Sequence, residues 1–351
     1  MIYSLNSLRF LFIMLVVMSH IIGKSFDFGG ECGVAFFFIL SGFVLSYAYG
    51  SRVEDGTFRL GAFLKKQLSK FYPLHLLTFF LMLGLDSRLG RFYDWPKLLA
   101  NAFLLQSWVP SDDFYFVANG LSWFLSDLLF FYIVFPLVFK WLNRSSLKAL
   151  TIGGVMVLAF YVLLAVSIPT SLINPLLYAS PITRLIDFCI GILVFRFWMS
   201  LRGKECQRFI SGMSSASISV LEIMMFLMVV LSFYVYENSS LRFRCASLFW
   251  LVLPIVIYVF VATDKMSGVV IRGLHQPMMQ WLGDISLEIY LIHLVTMRVF
   301  YSIMASLGMG EEQRLHPLVI LMTIIIIILV SYLTKRSFVD PIFTRLTKIM
   351  K

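Results

Sequence analysis

Charge is what this chain has least of. Asp, Glu, Lys and Arg make up 14% of its 351 residues, where soluble domains carry about 25%. With 60% hydrophobic residues and a mean hydropathy of +0.87, that shortage excludes a soluble globular class. Long polar intervals are missing too, so no soluble domain is expected, and residues 1–351 read as a single transmembrane domain. Cysteine is sparse: Cys32, Cys189, Cys206 and Cys245 show no C-x-x-C spacing, so neither a metal site nor a dithiol site is expected. Cys32 and Cys245 both fall near the outer face, which leaves a disulfide between them open. The inverted repeats common in transporters are absent. So are a basic n-region and an A-x-A-like site before the first apolar run, which carries Arg9 inside it and reads as a retained span, not a cleavable signal.

What is present is a series of apolar stretches, each about 16 to 25 residues long, which predicts an all-α polytopic membrane protein. About ten spans are expected, at 6–23, 33–50, 71–87, 121–140, 149–168, 176–197, 217–236, 246–262, 281–304 and 316–334. A further apolar piece at 98–108 is short for a ~30 Å core. If it does not cross and the N-terminus is cytoplasmic, 19 of the 29 Lys and Arg lie on the cytoplasmic side, seven lie outside, and Arg9, Arg184 and Arg298 lie within spans. The positive-inside rule favours that arrangement, with both termini cytoplasmic and 98–108 re-entrant or interfacial. The net charge of +10 is then mostly topological bias, and nucleic acid is not an expected partner.

Ionisable residues inside such spans are costly and mark candidate sites. Arg9 and His20 are eleven residues apart, which returns them to one helix face roughly 16 Å apart along the axis. Two readings stand: a snorkelling arginine with an interhelical histidine, or an anion anchor below a general base, since neutral imidazole accepts a proton near neutrality. Glu31 lies close in depth to His20 and either orients it or is a solvated carboxylate. Ser41-Gly42 makes a small notch in the second span. Lys66 and Lys70 suit phosphates at the mouth of the bundle, and equally suit lipid headgroups. Ser122 and Trp123 open the fourth span, with Tyr132 and Pro136 further along it. Arg184 and Asp187, three apart, can pair on one face. In the ninth span Tyr290 precedes His293, a second intramembrane histidine that competes with His20 as the base.

Taken in order, these pieces resemble the acyltransferase-3 family of integral membrane acyltransferases. Leu8-Arg9-Phe10 with His20 is similar to the family's R-x10-H element. Gly33-Val34, Phe37-Phe38 and Ser41-Gly42-Phe43 resemble its second helix. Trp123, Tyr132 and Pro136 match W-x8-Y-x3-P, and Arg184, Asp187, Phe188 and Gly191 match its R..(E/D)F..G helix. Gly283, Ser286, Tyr290, Leu291 and His293 match its G.iS..iYL.H helix. The chain departs where relatives carry R-x-x-R, having Gln67-Leu68-Ser69-Lys70 there, and has Leu128 where many have a glutamate. Some relatives add an SGNH hydrolase-like domain after the Asp340-Pro341 region, and none is expected here.

The resemblance implies a bacterial inner-membrane O-acetyltransferase with acetyl-CoA as cytoplasmic donor. It implies a saccharide acceptor, either an envelope glycan such as lipopolysaccharide or a lipid-linked sugar, met within membrane lipid. The donor's phosphates would sit near Lys66, Lys70, Arg9 and Arg184. A pantetheine arm of roughly 15–20 Å is comparable to the Arg9–His20 offset set by the helix rise. His20 would deprotonate the acceptor, and Trp123, Ser122 or Ser41 would stabilise the oxyanion. A covalent acetyl-histidine relay stays open. The competing class is a proton-coupled transporter, against which the missing repeats and sparse mid-membrane acids argue.

Overall fold

The computed structural model describes residues 2–23, 28–201, 210 and 212–349; Lys24, Arg202, Lys204, Cys206, Arg208 and Lys351 lie outside the described residues. Every regular element among the described residues is helical. In chain order the longer ones are α1 (Tyr3–Ile22), α2 (Gly30–Glu54), α3 (Leu60–Arg88), α4 (Trp95–Ala102), α5 (Asp112–Tyr115), α6 (Trp123–Arg144), α7 (Leu147–Ser167) and α8 (Pro181–Leu201). They continue with α9 (Ser215–Asn238), α10 (Val252–Ala262), α11 (Val269–Leu274), α12 (Pro277–Asp284), α13 (Ser286–Ser306), α14 (Pro317–Thr334) and α15 (Asp340–Ile349).

Eight of these stretches are long and apolar enough to cross a membrane: α1, α2, α3, 120–144 containing α6, α7, α9, α13, and 317–348 beginning with α14. A ninth, α8, has 21 residues but carries Arg184, Asp187 and Arg196. The span expected at 246–262 is a 3-10 turn, Ala246–Phe249, followed by the 11 residues of α10. Pro254 has no N–H to give an i−4 carbonyl, so it sits in the first turn of α10, where none is required. The stretch expected at 281–304 is broken at Ile285 into α12 and α13. The 98–108 piece is the end of the eight-residue α4 plus a three-residue turn at Gln106–Trp108; at ~1.5 Å per residue α4 covers only about 12 Å.

The chain gathers into two compact units, each built from separate stretches. The first comprises Met1–Phe12, Glu31–Phe58 and Asp127–Gly283; the second comprises Ile13–Gly30, Arg59–Ser126 and Asp284–Lys351. In the first, α2 and α8 cross at backbone contact. A Cβ on Gly42 would collide with the Phe188 carbonyl, and one on Gly191 with the Ile39 carbonyl, so only glycine fits either place. Phe131 stacks on Phe188 beside that crossing, with ring centroids 5.2 Å apart. The start of α1 is fastened by polar groups: the Ser4 amide donates to Asp264 Oδ1 at 2.8 Å, and Asn6 Nδ2 donates to the Gln280 carbonyl at 3.0 Å. Cys32, Cys189 and Cys245 are not disulfide-bonded.

In the second unit α13 packs on α14 and α3. Charge ties it at two places. Just past its middle Arg298 donates to Asp86 Oδ1 at 2.7 Å; near its start Glu288 lies 3.3 Å from Lys335, which is 3.4 Å from Asp340.

Candidate active site

The second unit brings the two intramembrane histidines together. His20 lies in the last turn of α1 and His293 two turns into α13. Their rings are 5.0 Å apart, and His293 Nε2 is 3.4 Å from His20 Nδ1. Each ring reaches back along its own helix: His20 Nδ1 is 2.7 Å from the Val16 carbonyl oxygen, and His293 Nδ1 is 3.0 Å from that of Ile289. A carbonyl oxygen only accepts, so the neutral form of each ring that fits these contacts carries its hydrogen on Nδ1. The lone pair is then on Nε2 in both. His293 is fully buried, whereas His20 is exposed among the described residues.

Around this pair stands a polar scaffold. Tyr290, one turn before His293, donates its hydroxyl to the Leu121 carbonyl at 2.9 Å. Asn119 Nδ2 reaches Thr78 Oγ1 at 3.0 Å and the Leu291 carbonyl at 2.9 Å, linking the 103–122 connection to α3 and α13. Ser122 Oγ donates to the Asn119 carbonyl at 2.8 Å and accepts from Asn101 at 3.0 Å and Gln106 at 3.1 Å. Ser107 Oγ donates to the Trp123 carbonyl at 3.0 Å, and Ser126 Oγ to that of Leu104 at 2.7 Å. Asn101, Gln106, Asn119 and Ser122 are all fully buried. Leu104 and Ala118 have φ of 58° and 52°, a left-handed conformation that L residues resist. The hydrogen bonds hold the connection in that shape. Asn101, Gln106 and Asn119 were not singled out from the sequence; the available signal was amides set among apolar neighbours, two of them within 98–108.

Ser122 was expected to face the oxyanion, but its proton is committed to Asn119. Ser41 is similar: half-buried on α2 in the first unit, it donates back to the Phe37 carbonyl at 2.7 Å. Trp123 is buried at the first position of α6. Lys66 and Lys70 are exposed in the N-terminal half of α3.

The first unit gathers a different set. Arg184 Nη1 lies 2.6 Å from Glu31 Oε1, and Arg184 Nε lies 3.2 Å from Asp187 Oδ2. The guanidinium sits over the Phe38 ring, 5.1 Å from its centroid. Trp250 donates its indole N–H to Asp187 Oδ1. Arg184 is 1% exposed and Asp187 is fully buried. Glu31 was read either as orienting His20 or as a solvated carboxylate, and Arg184 as a contact of the donor. The structure spends both on each other, because a buried guanidinium with two carboxylates and an aromatic face avoids the large cost of an uncompensated charge. Arg9 is half-buried in this unit, and Tyr132 is buried.

At the far end of α3 in the second unit, Asp86 accepts the Tyr93 hydroxyl at 2.8 Å as well as Arg298. Tyr93 lies in the connection after α3. Burial, followed by the Asp86 hydrogen bond, pushes its phenol above the ordinary value.

A family model described as an acyltransferase domain matches residues 2–336. A Streptomyces mycarofaciens protein named an acyltransferase is 31% identical over 183 residues, covering 47% of this chain and 46% of its own length. "Protein 2 in picA locus" of Rhizobium radiobacter is 35% identical over 130 residues, covering 33% of this chain and 68% of its own. A Staphylococcus aureus protein named "Putative O-acetyltransferase" is 21% identical over 323 residues, covering 85% of this chain and 51% of its own. The chain thus spans about half the length of the Streptomyces and Staphylococcus relatives. No solved structure matches it.

Proposed function

The chain belongs to the acyltransferase-3 family, and from that premise we propose that it is a membrane O-acetyltransferase. The donor is acetyl-CoA and the acceptor is a hydroxyl of an envelope glycan or lipid-linked sugar. The reading extends to a bacterial inner membrane, with both termini on the cytoplasmic side, as the distribution of Lys and Arg favours. The observation that carries the chemistry is the hydrogen-bond pattern at His20, which favours the neutral tautomer with its lone pair on Nε2. The name of the Staphylococcus relative supports acetyl as the group and oxygen as its destination.

In this account His20 Nε2 takes the proton of the acceptor hydroxyl as that oxygen attacks the thioester carbonyl. The tetrahedral intermediate collapses with loss of the thiolate, and the imidazolium returns its proton to the sulfur. The products are the acetyl ester and the free thiol of CoA, and His20 ends neutral. General-base help of this kind is worth ~100- to 10,000-fold. The oxyanion requires a fixed donor. With the Ser122 and Ser41 protons engaged elsewhere, Trp123 is the donor this reading assigns. Lys66 and Lys70 take the donor's phosphates as point charges.

The test is transfer of label from radiolabelled acetyl-CoA to envelope glycans, using membranes that contain the protein beside membranes that lack it. Ester-linked label that depends on the protein is expected. Label on no glycan or lipid-linked sugar, with the folded protein present, overturns the reading.

A further inference from the structure

We infer that His293 is a positioning residue, acting through His20 and not as a second base. The inference rests on the reading of His20 as the base and names what holds it ready. Two acceptors converge on one nitrogen: His20 Nδ1 faces the Val16 carbonyl at 2.7 Å and His293 Nε2 at 3.4 Å. The His293 lone pair points there because its own Nδ1 hydrogen is given to the Ile289 carbonyl. The Val16 oxygen lies one helical turn back, inside α1, where it also accepts the His20 backbone N–H of the i→i−4 ladder. It is therefore a shared acceptor. The His293 imidazole nitrogen is a stronger base than an amide oxygen. As a proton arrives at His20 Nε2, the Nδ1–H becomes a charge-assisted donor, and its bond to His293 tightens most at that moment. This help is greater in the transition state than in the ground state, as a catalytic contribution must be.

The same geometry argues against His293 as the base. Its ring is fully buried and its lone pair is aimed at His20, which is the exposed member of the pair. An incoming hydroxyl therefore meets His20 first. Tyr290, whose ring centroid is 6.3 Å from that of His293, has committed its hydroxyl to the Leu121 carbonyl, so it does not compete for the His293 nitrogen.

Two variants separate this role from simple packing. His293→Gln keeps an acceptor of similar reach, and His293→Leu removes it. Turnover with acetyl-CoA and a glycan acceptor is expected to fall roughly 10- to 100-fold in His293→Leu, a share of the ~100- to 10,000-fold that a general base supplies. His293→Gln is expected to stay within about fivefold of wild type, since it still accepts from Nδ1–H. The KM for acetyl-CoA should not move in either. A readout independent of turnover is nitrogen NMR of protein carrying isotope-labelled histidine, with His20 assigned by its disappearance in His20→Ala. Wild type should show His20 with hydrogen on Nδ1, and His293→Leu should show the other tautomer as well. The inference is overturned if wild-type His20 carries its hydrogen on Nε2. It is also overturned if His293→Leu turns over within twofold of wild type, or if Gln and Leu lose turnover equally while both variants remain folded. Should wild type transfer no acetyl at all, the proposed function fails, and the NMR result still decides whether the two rings are coupled.

Discussion

The two units hold their intramembrane polar groups in opposite ways. In the first, Arg184 is closed in by Glu31, Asp187 and the Phe38 ring, and Trp250 caps the arrangement. Charge answers charge there, and both Arg184 and Asp187 are buried. In the second, the Val16 and Ile289 carbonyls direct the His20 and His293 rings, whose nitrogens face each other at 3.4 Å, and one ring remains exposed. Both sets would be costly in a membrane and would look functional in a sequence. The difference is whether the partners use up a group's chemistry or direct it. A buried ion cluster holds helices together; a pair with a directed lone pair can move a proton.

Breaking the closed cluster should give the largest effect on stability. Arg184→Met leaves Glu31 and Asp187 buried without their counter-charge, and loss of one partner of a buried ion pair costs about 3–5 kcal/mol. Unfolding in detergent should shift accordingly. An unchanged unfolding midpoint would mean that the cluster does not hold the first unit. The scaffold of the second unit comes next. Asn119→Leu removes the bonds to Thr78 and Leu291 and should cost ~1–3 kcal/mol for the buried groups left without partners. Because that scaffold carries the connection leading to Trp123, turnover should fall with stability; full turnover in the destabilised variant would separate scaffold from site.

Tyr93→Phe is a smaller perturbation, expected to cost about 1 kcal/mol for one hydrogen bond. Its pH dependence has a definite sign. The Tyr93 phenol is pushed above its ordinary value of 10.0, so its contribution is full below that pH and is lost as pH rises through the raised value. The gap between wild type and Tyr93→Phe, followed by unfolding against pH, should therefore be constant at neutral pH and close in strong alkali. The smallest effect is expected at the exposed lysines. Lys66→Ala and Lys70→Ala each lose a surface charge contact worth up to ~1 kcal/mol, or roughly a two- to fivefold rise in the KM for acetyl-CoA. Unchanged donor kinetics in the double variant would move the phosphate site elsewhere.

Much of the helical framework was legible, because an apolar run long enough to cross a bilayer has few other uses. The pairing of Arg184 with Asp187 was legible for a local reason, since residues three apart share a helix face. The partnership of Glu31 with Arg184 was not, as the two are 153 residues apart in the chain. Trp250 gave no sign of its role, because an aromatic near a span's end reads first as an interfacial anchor. The break at Ile285 had a signal, Gly283-Asp284 before it and Ser286 after it, but these polar positions were read as part of one continuous span. The interleaving of the two units has no sequence signal: α1 and α6 each contribute to both. Of the site, His20 and His293 were both visible as costly residues in apolar helices, but which one serves the other depends on a contact between helices 273 residues apart.

If His20 is the base, removing it takes away most of the transfer while leaving the fold intact. The decisive readout is acetyl transfer from radiolabelled acetyl-CoA, measured per folded molecule in wild type and His20→Ala. A fall of at least ~100-fold in His20→Ala is expected, with no change in its unfolding midpoint. Transfer by His20→Ala within twofold of wild type rules His20 out as the base.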